Sequence, residues 1–148
     1  MTVADNKALS RTLFEKVWNS NRTDLIPELV SPDLTINDPN NPIKTKGVDA
    51  QKTYLTNYKK AIPDLVFRIE DQVAEGDYVV NFVTATGTHE GELIGIPPTH
   101  KKATVNCIVK LRFANGKIVD TYTLWDTLAF MKSVGALETL TEAMMSHR

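Results

Sequence analysis

Residues 76–126 read GDYVVNFVTATGTHEGELIGIPPTHKKATVNCIVKLRFANGKIVDTYTLWD. Runs rich in β-branched and aromatic residues alternate there with turn sequences, which is a pattern typical of antiparallel strands. The dipeptide Asn115-Gly116 favours the two-residue turn that joins hairpin strands. This stretch and the residues just before it predict four strands, at about 65–74, 77–88, 102–114 and 117–126.

The first half of the chain predicts helices instead, because its apolar residues recur at helical spacing. The predicted helices cover about 4–19, a short segment capped by Thr23 or Asp24, Val48–Ala61, and 127–146 with an interruption at Gly135. A brief strand from Leu34 to Asp38 falls between the second and third helices. Helices followed by antiparallel hairpins indicate an α+β domain.

The Asn115-Gly116 turn also predicts the register of the last hairpin, with Ala114 opposite Lys117. Thr121, Thr123 and Trp125 then face outward. The predicted inward face comprises Val105, Cys107, Val109, Leu111, Phe113, Ile118 and Leu124, together with Asp120, Tyr122 and Asp126. The same reasoning on the first hairpin places inside Phe67, Ile69, Val73, Tyr78, Val80, Phe82 and Thr84.

Length and charge restrict the class of protein. A chain of 148 residues predicts one domain over 1–148, with a core large enough to leave room for a cavity. The net charge of −1 argues against electrostatic capture of nucleic acid or of an anionic membrane. With one cysteine, Cys107, no apolar signal core and no membrane-length apolar run, we expect a cytoplasmic protein.

Three aspartates are candidates for acid/base chemistry, because a carboxylate on an apolar face must be paired or exposed to a cavity. Asp126 is interpreted either as a general acid/base or as the N-cap of the helix that follows it. Asp120 lies roughly 20 Å from Asp126 along an extended strand, so the two are alternatives. Asp38 precedes Pro39 and is either a turn residue or a pocket carboxylate.

The remaining candidates are a histidine and several aromatic residues. His89 stands where strand gives way to loop, and it is either a loop anchor or a catalytic group. The histidines show no metal-ligand spacing, so we expect no metal site. Core packing is the default for the aromatic residues, and lining of a cavity is the functional alternative. These residues are Phe14, Trp18, Tyr54, Tyr58 and Tyr122.

Five segments carry a resemblance to a known family: NKALSRTLFEKVWN, DLIPELVSPDLTINDP, AIPDLVFRIEDQVAEGDYVV, GTHEGELIGIPPT and NGKIVDTYTLWD. Together they resemble the SnoaL-like polyketide cyclases, within the nuclear-transport-factor-2-like superfamily. The resemblance implies a cone-shaped, cystatin-like curved sheet that is mainly antiparallel and encloses a pocket with the N-terminal helices. It also implies a homodimer through the outer face of the sheet.

The resemblance further implies a reaction. Family cyclases close a ring by intramolecular aldol chemistry without metal or cofactor, and an aspartate moves the proton. That role falls most naturally on Asp126, with Asp120 or Thr123 as alternatives for the same position; with Thr123 the acid/base would be missing. A ketosteroid-isomerase-like interpretation would make Asp38 the base, but its oxyanion donors would fall on Phe14 and Val109, which cannot donate.

Two hypotheses follow. The first is a cofactor-free cyclase or isomerase acting on a small, apolar or aromatic carbonyl compound. Asp126, Asp38 and His89 are then catalytic, and Tyr122, Asp120 and the four other aromatic residues bind substrate. The second is a protein that binds a small lipophilic ligand without turnover.

Overall fold

The computed structural model describes residues 2–145 and contains a single five-stranded sheet within that range. The strand order is β1-β5-β4-β3-β2, and only the β1–β5 pair is parallel. The strands are β1 (Val30–Asn37), β2 (Val66–Glu75), β3 (Tyr78–Thr88), β4 (Lys102–Ala114) and β5 (Lys117–Trp125). The sheet is therefore mainly antiparallel, as the sequence predicted.

The helices precede and follow the four long strands. They are α1 (Val3–Thr12), α2 (Ile26–Leu29), α3 (Gly47–Ala61), α4 (Thr127–Ser133) and α5 (Leu137–Met145). A capping box formed by Thr2 and Asp5 begins α1, and a π-helical turn, Leu13–Trp18, continues it. The predicted helix over 4–19 is thus confirmed in extent, but its second half is wider than an α-helix. That wider turn buries both Phe14 and Trp18.

Other predicted boundaries are confirmed to within a residue or two, with one exception. Helix α3 and the break at Gly135 lie where the sequence placed them, although residue 146 of the last predicted helix lies outside the described range. The exception is β1, which begins at Val30 rather than at Leu34. Parallel pairing of Val30 with Ile118 draws the chain into the sheet four residues early, in spite of Pro32.

The predicted register of the last hairpin is wrong beyond its first pairs. Phe113 pairs with Ile118 as expected, but Arg112 pairs with Asp120, so β5 carries one extra residue at a β-bulge. A one-residue shift moves every later side chain to the other face. Thr121 and Thr123 are therefore buried on the inner face, whereas Asp120, Tyr122 and Leu124 lie on the outer face.

A second bulge lies between Ile69 and Asp71 of β2, and it makes part of the predicted facing of the first hairpin wrong in the same way. Phe67 and Ile69 pack against the core as predicted. The other residues that were predicted to face inward lie on the outer face instead: Val73, Tyr78, Val80, Phe82 and Thr84. Val79 and Val83 are buried in their place. Both faces of β3 are apolar, so alternation alone did not identify the buried one.

The fold places a helix, α3, alongside β1 and over the inner face of the sheet. Its buried positions Gln51, Tyr54, Leu55 and Tyr58 recur at helical spacing, as predicted, and they point into the core. Helix α1 and its π-helical turn cover β2 and β3. The inner face of a curved sheet and two helical segments thus enclose the interior between them.

We predict that Gly47→Ala destabilises the protein by more than about 2 kcal/mol. Gly47 has φ +77°, and a Cβ there would lie 2.5 Å from the backbone oxygen of Pro32. Gly76→Ala is the matched control, because Gly76 also has positive φ (+56°) but has open space around the added atom. It should cost only about 1 kcal/mol. Urea unfolding of both variants measures the difference, and equal losses would contradict the proposed backbone clash.

Candidate functional site

A cavity lies between the inner face of the sheet and the helices. The space between its lining residues is about 800 Å³, counting the part that is open to solvent at its mouth. Most of its wall is apolar. The residues that line it include Phe14, Trp18, Gln51, Tyr54, Tyr58, Cys107, Thr121, Thr123, Trp125 and Phe130.

Aromatic rings line this cavity in a continuous series of mostly edge-to-face contacts. Trp18 lies 5.7 Å from Tyr54 and 5.1 Å from Phe67, measured between ring centroids. Tyr54 contacts Tyr58 at 5.3 Å, and Trp125 contacts Phe130 at 5.7 Å. Such pairs add packing energy beyond their burial, so the wall is a rigid surface suited to a flat, apolar molecule.

Asp38 lies directly behind two residues that line the cavity. It follows β1 directly and is only 4% exposed. The hydroxyls of Tyr54 and Tyr58 both donate to its Oδ2, at 2.6 and 2.5 Å. The backbone N–H of Asn40 donates to its Oδ1 at 2.8 Å, and the indole N–H of Trp125 donates to the Tyr58 hydroxyl at 2.8 Å. Both oxygens therefore accept hydrogen bonds, which is how a buried carboxylate is satisfied.

The two tyrosines stand between Asp38 and the cavity, and both stay protonated near neutral pH. Burial is the main cause that raises the pKa of Tyr54 well above its usual range, and the neighbouring Tyr58 and Asp38 add to it. Burial and the Asp38 charge raise the pKa of Tyr58 as well. Each hydroxyl thus keeps its proton, which it donates to Asp38 in this structure. The side chain of Thr123 offsets part of this rise in the pKa of Tyr54.

The other predicted carboxylates do not line the cavity. Asp126 is exposed, and its side chain accepts from the Ala129 N–H at 2.9 Å, so it caps α4. Asp120 accepts from Thr35 of β1 at 2.5 Å, on the outer side of the sheet. Tyr122 is 44% exposed on that side too. The bulge in β5 is the physical reason, because it turns Thr121, Thr123 and Trp125 inward instead.

The family model of the SnoaL-like polyketide cyclases matches residues 8–134. This chain belongs to the SnoaL-like polyketide cyclase family. No functionally curated protein matches it in sequence. The expected family is therefore confirmed, although the carboxylate that this member holds behind its cavity wall follows the first strand rather than the last.

Solved structures share the fold of this SnoaL-like chain. TsrD from Streptomyces laurentii superposes with a TM-score of 0.81 at 20% identity, covering 92% of this chain and 98% of its own. IdmH from Streptomyces antibioticus, a candidate polyketide cyclase, has a TM-score of 0.75 at 26% identity, covering 88% and 98%. AclR from Streptomyces galilaeus, a candidate hydroxylase, has 0.75 at 27%, covering 90% and 98%. These likenesses confirm the predicted nuclear-transport-factor-2-like fold.

Sequence reasoning passed over three cavity residues of this SnoaL-like domain as site candidates: Gln51, Thr121 and Trp125. Gln51 was not singled out, and the other two were placed on the outer face. A bulge has no clear signal in one sequence, so the two inward residues of β5 were not recognisable. Cys107 was expected in the core and does line the cavity, but burial raises its pKa to about 12, so it is a neutral thiol at physiological pH.

His89 is fully buried and does not line the cavity; it holds the long β3–β4 loop in place. Its Nδ1 lies 3.0 Å from the Thr99 hydroxyl, and its backbone exchanges hydrogen bonds with Lys101 and His100. Its ring packs on Phe130, a wall residue, at 5.1 Å.

No cluster of three or more His, Cys, Asp or Glu among the described residues is placed to hold a metal. Within the same residues, no helix is long and apolar enough to cross a membrane.

We predict that stability decreases when the pH is lowered from about 7 to about 5. Burial lowers the pKa of His89 below 6.5, and nearby carbonyls of Gly91 and Ile96 offset this only in part. The unfolded chain therefore binds a proton before the folded one does, and unfolding is favoured as the pH falls below about 6.5. Chemical denaturation of wild type and His89→Gln across this range measures the effect.

The slope of unfolding free energy against pH should be smaller in His89→Gln than in wild type. His100→Gln is the matched control, because His100 is an exposed histidine of the same loop that pairs with Glu90. A pH slope that His89→Gln leaves unchanged would remove His89 as its origin.

Proposed function

We propose that this protein is a cofactor-independent cyclase or isomerase that binds a small, apolar or aromatic carbonyl compound in its cavity and uses Asp38 as the acid/base group. It acts as a homodimer in the cytoplasm, where its one cysteine stays a free thiol. The observation that carries the proposal is the hydrogen-bonded group of Asp38, Tyr54, Tyr58 and Trp125 at the wall of an otherwise apolar cavity.

The proposed step uses the two kinds of group that this cluster contains. A substrate carbonyl accepts the hydrogen bond of a tyrosine hydroxyl, which turns away from Asp38 Oδ2. The released carboxylate oxygen takes a proton from the carbon next to that carbonyl, and the tyrosine stabilises the resulting enolate. The enolate carbon then attacks a second carbonyl of the same molecule, or is protonated again at another position. Protonated Asp38 returns its proton to the alkoxide or to carbon, so no proton is lost or gained.

Ligand binding without turnover is the second candidate function. Its support is that no Asp, Glu or His of the described residues directly lines the cavity. Asp38 lies behind the two tyrosines, and its hydrogen bonds are complete without a substrate. Under this alternative the tyrosine hydroxyls only orient a ligand carbonyl.

The decisive prediction concerns exchange of α-protons in β-tetralone, a flat apolar ketone, in D₂O. Wild-type protein should accelerate deuterium incorporation next to the carbonyl, and Asp38→Asn should reduce this rate by about 10²–10⁴-fold. Tyr58→Phe keeps the carboxylate but removes one donor, so it should lose a smaller factor of about 10 or more. Proton NMR of the ketone follows the exchange directly.

Asp126→Asn is the matched control, because Asp126 is an exposed helix cap away from the cavity wall. It should keep the wild-type exchange rate. Binding is measured separately through the fluorescence of Trp18 and Trp125, which are the two tryptophans of the chain and both line the cavity. A ketone that changes this fluorescence but exchanges no faster than in buffer would favour binding without turnover.

The outer face of the sheet supports the homodimer proposal. Five large apolar side chains on this face are 38–52% exposed: Tyr78, Phe82, Ile108, Tyr122 and Leu124. A contiguous exposed patch of this kind marks an interaction surface in many proteins. Self-association across a two-fold axis would bury the patch of each copy against that of the other.

We predict that Ile108→Lys converts a dimer into a monomer. Ile108 lies on β4 and is 47% exposed, so a buried lysine at its position would have to be desolvated across the interface. Size-exclusion chromatography with light scattering should give a mass near twice 16.5 kDa for wild type and near 16.5 kDa for the variant. Val3→Lys, on α1, is the control and should stay dimeric. A monomeric wild type would refute the homodimer.

A further inference from the structure

Gln51 places an unpartnered polar group in the cavity. The residue is only 2% exposed, and it lines the cavity on the same face of α3 as Tyr54 and Tyr58. Its side-chain amide makes no hydrogen bond to any of the described residues, although an amide has two donors and an acceptor to satisfy. The amide is therefore free to donate to, or accept from, a molecule bound in the cavity.

Thr121 presents a second group of this kind from the opposite wall. It is 5% exposed on β5 and lines the cavity, and its hydroxyl has no hydrogen-bond partner among residues 2–145. Its backbone is fully engaged, because its carbonyl accepts from Asn37. The hydroxyl is thus the group of Thr121 that remains available to a bound molecule.

These two residues continue a regular series across the cavity. Tyr58 of α3 bonds to Trp125 of β5, and Tyr54 interacts with Thr123, two residues earlier on the same strand. One further step back along each element leads to Gln51 and Thr121. The Tyr58–Trp125 pair is also hydrogen-bonded to Asp38, through the Tyr58 hydroxyl. No such shared partner among the described residues joins Gln51 and Thr121. Seven residues of helix separate Gln51 from Tyr58, which is about 10 Å along the axis.

We propose that Gln51 and Thr121 form a recognition subsite for a second, neutral oxygen function of the substrate. This inference rests on the proposed function, in which the first carbonyl binds at Tyr54 and Tyr58. The amide and the hydroxyl each donate and accept, so together they suit a phenol, an alcohol or a ketone. A carboxylate does not suit the subsite, because no cation of the described residues lines the cavity to pair with it.

The subsite therefore narrows the substrate class. The preferred molecule carries two oxygen functions at opposite ends of an elongated apolar framework, one at the reacting end and one at the Gln51 end. An apolar site that hydrogen-bonds such a group discriminates against the analogue that lacks it, because its own polar groups are then left unpaired.

Two ketones that differ in one hydroxyl test the proposal. β-Tetralone offers only the carbonyl, and 6-hydroxy-β-tetralone adds a hydroxyl at the far end of the same frame. Isothermal titration calorimetry with wild type should show tighter binding of the hydroxy compound by about threefold to tenfold. Gln51→Leu and Thr121→Val, which keep the side-chain shapes, should each reduce or abolish this preference and leave the affinity for β-tetralone unchanged or improved.

Each outcome separates the subsite from the function on which it rests. If both ketones bind wild type equally, or if both variants keep the preference, the subsite is refuted while the cavity and Asp38 remain in place. If neither ketone binds wild type, the subsite and the proposed ligand class both fail.

Thermal unfolding without ligand supplies an independent readout. Because Thr121→Val removes a buried hydroxyl that has no partner among the described residues, it should raise the unfolding midpoint by about 2–4 °C. Gln51→Leu should not lower the midpoint, because the variant loses no hydrogen bond. Thr123→Val is the matched control, since its hydroxyl already interacts with Tyr54, and it should give no increase. A lowered midpoint in both Gln51→Leu and Thr121→Val would show that these groups are structural and would overturn the proposal.

Discussion

A carboxylate in an apolar interior needs hydrogen-bond donors, and the requirements of Asp38 organise this protein around its cavity. Asp38 leaves β1 at the point where the chain turns toward α3, and its two best donors come from successive turns of that helix. These two bonds fix the helix against the end of the first strand. They also hold the hydroxyls of Tyr54 and Tyr58 in place at the cavity wall, where the indole N–H of Trp125 on β5 donates to the Tyr58 hydroxyl. Structure and candidate chemistry thus depend on the same few contacts.

The bulges in β2 and β5 determine which side chains lie on the inner face of the sheet and which lie on the outer face. Each inserts one residue, which reverses the direction of every side chain beyond it. On the inner side this brings Thr121, Thr123 and Trp125 to the cavity. On the outer side it collects Tyr122 and Leu124 beside residues of β3 and β4, where Lys110 lies over the rings of Tyr78 and Tyr122. One irregularity therefore shapes both the binding site and the surface proposed for self-association.

The cavity combines an apolar wall with hydrogen-bonding groups arranged along one line. At one end the polar groups satisfy one another around Asp38. At the other, Gln51 lines the wall and the Thr121 hydroxyl has no partner within residues 2–145. Such an arrangement suits a neutral ligand that binds largely by apolar contact and is oriented by a few polar atoms. Membership of the SnoaL-like family gives this cavity a chemical context, while the position of its carboxylate on the first strand distinguishes this member's proposed mechanism from one based on the last strand.

The sequence by itself determined the α+β class and most element boundaries, because periodicity and turn dipeptides are local properties, and the resemblance of five segments indicated the family. It also identified Asp38, Tyr54, Tyr58, Phe14 and Trp18 as candidates, and all of them lie at the cavity or directly behind its wall. Only the tertiary structure decided which residues of β5 face inward, since a bulge depends on how two strands pair and both faces of this sheet are apolar. For the same reason Asp126 and Asp120 were expected inside and lie outside. The unpartnered state of Gln51 and Thr121 was equally beyond the sequence, because a missing hydrogen bond is visible only once every neighbour is in place.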